Sequence, residues 1–329
     1  MHAIVIDRPG PPEVLQLREV PTPEPGPGQL RVRVAASGVN RADLLQRRGG
    51  YPAPPGWPVD IPGLEYAGTV DAVGEGVSRF RAGERVMGLV GGGGYAEAVV
   101  VDPAEVLPVP PSLSLQAAAA VPETFITAHD ALFTQLHLAA GETLLIHAVG
   151  SGVGTAALQL ARAAGARVLG TQRSVWKLER ARELGLDVAI VAGADGDWPE
   201  AVLRETGGRG VDAILDLAGG AYFAGNIRVL APRGRLILVG LVAGRTAEID
   251  LGAVLARRLR IFGTALRSRT PAEKAETVVA FARDVLPLLA DGGVHPVVDR
   301  VYPAAAAAEA QRRMESGQNF GKLVLAWSA

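Results

Sequence analysis

Cysteine is absent from all 329 residues. Its absence excludes disulfide scaffolding, a thiolate nucleophile, iron–sulfur clusters and every cysteine-ligated zinc site, leaving only histidine and carboxylates to hold a metal. Lysine is nearly absent as well: Lys177, Lys274 and Lys322 are the only three, and arginine supplies the rest of the basic charge. The formal net charge is -1, from 33 basic and 34 acidic side chains. A chain so balanced carries no electrostatic footprint for nucleic acid or for a membrane surface. A long apolar run is missing too. The stretch from Thr143 to Ala161 has no charged side chain, but Gly150, Gly152 and Gly154 divide it into a β-type run and a helix-type run, which reads as strand, turn and helix rather than a membrane span. Met1 to Asp7 meets an acid before the apolar core of a signal peptide develops, so the expected location is cytoplasmic.

What is present is the composition of an ordinary globular protein, 48% hydrophobic and 20% charged. At roughly 150 residues per domain the length suggests about two domains. Proline marks the division, since 17 of the 23 lie at or before Pro122. Up to that point, short Val-rich runs (Leu30 to Ala35, Ala67 to Val73, Arg85 to Val90, Ala96 to Val101) are separated by Pro and Gly turns, as in an antiparallel β-rich domain. Beyond it, the strand-like segments Thr143 to His147, Arg167 to Thr171, Val188 to Val191, Val211 to Leu217 and Arg235 to Val239 alternate with helix-like segments. That alternation predicts a Rossmann-type doubly wound parallel sheet. From Thr270 a long helix to Leu289, a strand at Val297 to Val301, a helix from Ala304 to Met314 and a closing strand Lys322 to Ala326 break the alternation and are expected to return to the first domain.

The strongest motif is His147-Ala148-Val149-Gly150-Ser151-Gly152-Val153-Gly154-Thr155, placed after a strand and opening a helix. Glycines there let backbone N–H groups and the positive helix end approach a pyrophosphate; a turn that is glycine-rich for packing alone is the other reading. Ser151 is not a nucleophile elbow, because Val149 and Val153 stand where that motif needs glycine. About twenty residues on, an NAD site would place Asp or Glu against the ribose. The chain has Gln172-Arg173-Ser174 and then Lys177, which removes repulsion of a 2'-phosphate and adds positive charge, indicating NADPH.

Ser37 to Asp43 (SGVNRAD), Gly63 to Gly68 (GLEYAG), the loop Ala148 to Gly154 and Thr264 to Arg269 (TALRSR) together resemble the zinc-independent quinone oxidoreductases of the medium-chain dehydrogenase/reductase superfamily, closest to the tumour-suppressor-inducible branch. The resemblance runs from the first strand to Gly321-Lys322-Leu323-Val324-Leu325. It implies an α/β fold in which a β-rich GroES-like catalytic domain, residues 1–122 and 267–329, is split around a Rossmann domain, residues 123–266. It also implies NADPH in the cleft and a homodimer. In zinc-dependent members of the fold a Cys stands near the position of Asn40 and a His near that of Leu64; here only Glu65 remains of that set, so no metal is expected. By the same resemblance Asn40 and Tyr51 lie beside nicotinamide and substrate, Thr127 reaches the nicotinamide ribose, and Gly219, Gly240, Leu241 and Asn319 border the cofactor. One departure is that Val191-Ala192 stands where many relatives carry Asn-Tyr against the adenine end.

Chemistry narrows the substrate class. Hydride transfer to a simple ketone creates an alkoxide whose conjugate acid is about as weak as water, whereas a quinone yields an oxyanion of roughly tyrosine-like acidity, about pKa 10. The difference is some 8 kcal/mol at about 1.4 kcal/mol per unit, so a quinone can be reduced without a Lewis acid. An enone or enoyl-thioester reductase, with Tyr51 protonating the enolate, and a non-catalytic NADPH-binding module are the alternatives.

Overall fold

The Val-rich runs of the first third become an antiparallel sheet because their alternate residues point to a common core. In the computed structural model, which describes residues 1–193 and 197–327, the chain forms two units: Met1–Ile126 with Leu266–Ala329, and Thr127–Ala265.

The first unit opens with a two-stranded antiparallel ribbon of β1 (His2–Ile6) and β2 (Leu15–Glu19). It continues with β3 (Leu30–Val39), α1 (Arg41–Arg47), β4 (Glu65–Val73), β5 (Arg85–Leu89), β6 (Ala98–Val101), β7 (Val106–Pro108) and α2 (Leu115–Ala118); the boundary with the second unit falls inside α3 (Pro122–His129). The second unit holds β8 (Thr143–His147), α4 (Gly152–Ala163), β9 (Arg167–Gln172), α5 (Val175–Glu183), β10 (Val188–Val191), α6 (Trp198–Glu205), β11 (Val211–Asp216), α7 (Phe223–Val229), β12 (Leu230–Leu238), α8 (Leu251–Arg257) and β13 (Arg260–Gly263). The chain then returns to the first unit through α9 (Pro271–Asp284), α10 (Leu286–Ala290), β14 (Val298–Pro303), α11 (Ala307–Glu315) and β15 (Lys322–Ala326).

In the first unit the main sheet has the order β14-β15-β3-β4-β5-β7, with β6 also pairing β3. Val32, Val34, Tyr66, Val86, Leu323 and Leu325 are among the residues of its core. The first half of β3 alternates between buried and less buried residues, whereas Ser37, Gly38 and Val39 are all buried. β15 pairs antiparallel with that end, Leu323 opposite Val39, which brings Lys322 beside Asn40. Gly38 is required by a close approach: a Cβ there would stand 2.1 Å from Glu65 Oε1 and 2.6 Å from the Ala119 carbonyl.

The second unit is a six-stranded parallel sheet in the order β10-β9-β8-β11-β12-β13, with Leu145, Leu169, Ile190, Ile214 and Leu236 in its core. The strand order reverses between β8 and β11, the point where a doubly wound sheet opens a crevice at its carboxyl edge.

Two expectations shift in detail. The helix expected from Thr270 to Leu289 is two helices, α9 and α10, parted at Val285. Pro287 explains the break, having no N–H for a continuous ladder. The segment expected as Arg235 to Val239 pairs from Leu230, with an irregularity around Arg233, whose φ is 66°. Among the described residues no helix is long and apolar enough to cross a membrane.

Candidate functional site

Each unit contains a buried polar cluster. In the first unit it begins at the end of β3, where Asn40 caps α1: its backbone N–H donates to Asp43 Oδ2 at 2.7 Å, half of a reciprocal capping box. Asp43 also accepts from the Tyr95 hydroxyl at 2.9 Å and the Gly63 N–H at 3.2 Å. Burial still pushes its carboxyl up to about 6, against those donors and Lys322.

The Asn40 side chain faces inward. Its Nδ2 donates to Glu65 Oε1 at 2.8 Å, while its Oδ1 accepts from Lys322 Nζ at 2.6 Å. Lys322 Nζ also donates to Glu65 Oε1 at 2.6 Å and to the Val39 carbonyl at 2.8 Å. The ammonium–carboxylate pair is fully enclosed, with side-chain exposures of 4% and 0%. Glu65 Oε2 accepts from the Glu123 N–H at 2.8 Å, placing a negative charge at the start of α3 where the helix dipole favours it. Among the described residues no donor meets the Glu123 side chain. Loss of solvation and the neighbouring Glu65 and Asp43 carboxylates push it up to about 8, opposed by Lys322 and Arg267.

Tyr51 sits in the loop after α1, half-buried, and Arg267 holds it. The guanidinium lies 4.7 Å from the centre of the Tyr51 ring. Its Nη1 donates to the Tyr51 carbonyl at 3.0 Å, its Nη2 to Gln46 Oε1 at 2.7 Å, and its Nε to the Gly91 carbonyl at 2.9 Å. Gln46 in turn donates to the Val59 carbonyl at 3.2 Å, so both ends of the Tyr51 loop are tied. Burial and Glu123 raise the Tyr51 phenol above its usual range, against Arg267, leaving a hydroxyl that stays protonated at neutral pH and can donate a hydrogen bond. Glu123 and Arg267 share the wall of a small cavity with Leu64, Leu89, Glu105 and Lys274.

In the second unit Ser151 caps α4, its Oγ accepting from the Gly154 N–H at 3.1 Å. The first helical bond is Thr155 N–H to Ser151 O at 2.8 Å, so the amides of Gly152 and Val153 precede the ladder and face outward from the helix end. A Cβ on Gly154 would stand 2.6 Å from the carbonyls of Ala148 and Val149; glycine there lets the helix start pack onto the loop, as a dinucleotide cradle needs. Arg173 is exposed just past the end of β9, with Ser174 at the start of α5. Lys177 is buried on α5, its ammonium 5.3 Å from the Trp176 ring centre, so of the two basic residues expected here Arg173 is the exposed one.

The ends of β8, β9 and β11 are joined by a second chain of hydrogen bonds. Asp216 Oδ1 accepts from the N–H groups of Ala218 and Gly219 at 2.7 and 2.8 Å, and its Oδ2 accepts from Asn226 Nδ2 at 2.8 Å. The Asn226 amide oxygen is thereby turned to His147 Nε2 at 2.6 Å, and His147 Nδ1 lies 2.7 Å from the Thr171 hydroxyl. An amide oxygen can only accept, so His147 carries its proton on Nε2 and takes the Thr171 hydroxyl on Nδ1. Burial lowers its pKa, which keeps the ring neutral, and the ring packs edge-on against Trp198 and Tyr222, both with centroids at 4.8 Å.

The structure therefore gathers Gly150 to Gly154, Arg173, Ser174, Gly219, Gly240 and the exposed Leu241 at the carboxyl edge of one parallel sheet. Thr127 lies on α3 and is buried. Asn40, Tyr51 and Asn319 belong to the first unit, where Asn319 is buried and donates to the Gly321 carbonyl at 2.9 Å. Sequence reasoning missed the roles of Lys322, Arg267, Asn226 and Asp216. A signal for Lys322 existed: a rare lysine opening an otherwise apolar strand.

Residues 26–111 match the family model described as alcohol dehydrogenase GroES-like domain, and residues 152–284 match that of zinc-binding dehydrogenase. The synaptic vesicle membrane protein VAT-1 homolog of Rattus norvegicus is 35% identical over 94% of this chain and 80% of its own length. The quinone oxidoreductase of the same species is 33% identical over 99% of this chain and 97% of its own length. Among solved structures, an NAD-dependent alcohol dehydrogenase aligns with a TM-score of 0.86 and 35% identity over 99% of both chains. The Pseudomonas syringae pv. Tomato DC3000 quinone oxidoreductase aligns with a TM-score of 0.90 and 30% identity over 99% of both. A mycobacterial protein complexed with NADPH has a TM-score of 0.90 and 29% identity over 99% of this chain and 100% of its own.

Proposed function

The chain belongs to the medium-chain dehydrogenase/reductase superfamily, and from that premise we propose that it is an NADPH:quinone reductase that works without zinc. The observation that carries this is the polar cluster of the first unit. By the resemblance, Asn40 and Leu64 stand near the positions of a cysteine and a histidine in zinc-dependent members, and the remaining Glu65 accepts from Lys322. Among the described residues no group of three or more His, Asp or Glu side chains is arranged to hold a metal ion. An acceptor whose oxyanion needs little stabilisation suits such a site, and quinones meet that requirement better than ketones by some 8 kcal/mol. The full-length similarity to quinone oxidoreductases supports the same substrate class.

The carboxyl edge of the second unit fits a nicotinamide dinucleotide: the α4 amides and Gly154 suit the pyrophosphate, and Arg173, standing where an acid would disfavour it, suits a 2'-phosphate. When bound, the reduced nicotinamide supplies a hydride. Tyr51, protonated and held by Arg267, offers a hydrogen bond to the reduced oxygen, and the Asp216 loop fixes the backbone around Gly219. A homodimer through the second unit is part of the proposal; edge strand β13 and exposed Leu251 and Leu255, at 70% and 80%, supply an apolar margin for it.

The test is NADPH oxidation with ortho- and para-quinones, simple enones and an enoyl thioester, in native chain and Tyr51→Phe. Quinone turnover that persists appreciably in Tyr51→Phe is expected. Activity confined to the thioester, lost on the order of 100-fold in the variant, would make the chain an enoyl reductase instead. Tight NADPH binding with no turnover of any acceptor would leave a binding module.

A further inference from the structure

Of three lysines in the chain, one is buried at the end of a strand against a carboxylate with no exposure at all. Such pairs do not generally stabilise a fold better than apolar side chains of the same size. Lys322 therefore calls for a role besides stability. Its ammonium has three N–H groups and meets three acceptors of different kinds, the Val39 carbonyl at 2.8 Å, Asn40 Oδ1 at 2.6 Å and Glu65 Oε1 at 2.6 Å. No N–H is left for a substrate. What the ammonium determines is the direction of its neighbours: Asn40 is held at both ends of its amide, oxygen to Lys322 and nitrogen to Glu65, and Glu65 uses its second oxygen on the start of α3.

We propose that Lys322 is a tethered cation, filling from within the chain an oxygen cage formed by Val39, Asn40 and Glu65, and acting as the positioning residue that sets the Asn40 amide. The cage has the donor set of a cation site, and Gly38 is kept bare so that the Glu65 carboxylate can reach it. Remove the tether and the cage keeps the Val39 carbonyl and the Glu65 carboxylate, loses the donor that orients Asn40, and gains a net negative charge. A small ammonium ion with N–H groups of its own can then refill it, whereas a cation that cannot donate hydrogen bonds restores only charge. For its kinetic arm the inference rests on the quinone reductase activity proposed above; the thermal arm stands apart from it.

The experiment uses full-length chain, Lys322→Ala and Lys322→Met/Glu65→Gln. Thermal unfolding and NADPH-dependent quinone turnover are measured in methylammonium, tetramethylammonium and sodium chloride at equal ionic strength. Lys322→Ala is expected to lose Tm and at least tenfold in kcat, with the KM for NADPH within about twofold of native, because the dinucleotide edge belongs to the other unit. Methylammonium should raise both Tm and kcat, and the other two salts should not. The double variant, free of unpaired charge, should recover Tm yet stay at least tenfold low in kcat, since the Asn40 oxygen has lost its ammonium donor. Native kcat in the double variant would reduce Lys322 to a packing pair and overturn the proposal, as would identical responses to all three salts or stoichiometric uptake of Zn²⁺ by the native chain. If Lys322→Ala folds only when methylammonium is present during refolding, the cage is supported directly. Absence of quinone turnover in the native chain would defeat the activity proposal, while methylammonium-dependent Tm would still decide the cage.

Discussion

Replacing Arg267 with Met tests how the Tyr51 loop is held. Arg267 is 8% exposed, and its loss strips donors from the Gly91 carbonyl, the Tyr51 carbonyl and Gln46 Oε1. Leaving buried acceptors unsatisfied costs about 1–3 kcal/mol each, giving an upper range of roughly 3–9 kcal/mol for three, and the ring contact adds about 1–2 kcal/mol. Two effects reduce the total. Burial lowers the Arg267 pKa, the signature of a guanidinium that has given up solvation, and methionine is spared that loss. The carbonyls can also be rehydrated once the loop loosens. A net destabilisation of about 3 kcal/mol follows, near the upper end of ordinary single substitutions, or a fall of about 6–12 °C in Tm at roughly 2–4 °C per kcal/mol. The specific readout is amide hydrogen exchange, which should quicken between residues 46 and 59 and around Gly91, with little change in the second unit. Arg267→Lys should recover less than half of the protection, because one ammonium cannot span the three acceptors that the planar fork reaches. As a control, Arg283→Ala, which removes a surface ion pair with Asp284, should leave Tm nearly unchanged, since exposed pairs are screened by solvent and contribute little. Unchanged exchange in the Tyr51 loop of Arg267→Met would refute the tie.

Three further outcomes are expected. Gly152→Asp should fold, because an acid suits the first turn of a helix, yet lose NADPH affinity by on the order of 100-fold or more, since a charge about 4 Å from a phosphate costs about 4 kcal/mol at an effective dielectric of about 20; calorimetry showing native affinity would remove α4 from the site. Arg173→Ala should weaken NADPH by roughly 10- to 150-fold, the range of a charge-assisted hydrogen bond of about 1.5–3 kcal/mol, and leave NADH unchanged; equal kcat/KM for the two cofactors in the native chain would remove the 2'-phosphate assignment. Glu123 titrates at about 8 in the fold against an ordinary 4.5, so between those values the folded state holds a proton that the unfolded chain has released, and stability falls as pH rises. From pH 6.5 to 8, above the Asp43 titration near 6, Glu123→Gln should flatten that decline in Tm, and an unaltered slope would show that another group causes it.

Much of the second unit was legible in sequence because parallel strands are buried on both faces and read as apolar runs. Thr143 to His147 and Val188 to Val191 coincide with β8 and β10 residue for residue. The edge strand β13, Arg260–Gly263, went unread because only Ile261 and Phe262 carry apolar side chains, whereas the other edge strand, β10, is also partly exposed but is an unbroken apolar run. The glycine loop was visible from spacing alone, whereas the His147 network was not: hydrogen bonds joining residues 147, 171, 216 and 226 depend on which strands lie side by side. The same limit hid the partner of Glu65. Asn40 could be flagged as the occupant of a lost ligand position, but that its amide turns inward depends on a pairing, Leu323 with Val39, that no local pattern encodes. Lys177 shows the converse, a charge placed correctly along the chain whose side chain the helix turns into the protein.

The late position of Lys322 bears on how the chain is made. Its ammonium partners a carboxylate 257 residues earlier. At about 5–20 residues per second of synthesis, Glu65 emerges from the ribosome roughly 13–50 s before the group that neutralises it. The second unit, continuous from Thr127 to Ala265, has every strand of its sheet by then and can fold during translation. The first unit must wait with Glu65 unpaired, since β14 and β15 have not been made. A nascent chain released before residue 322 would thus combine a finished nucleotide-binding half with an unclosed sheet edge at β3, the species that chaperones and proteases would meet.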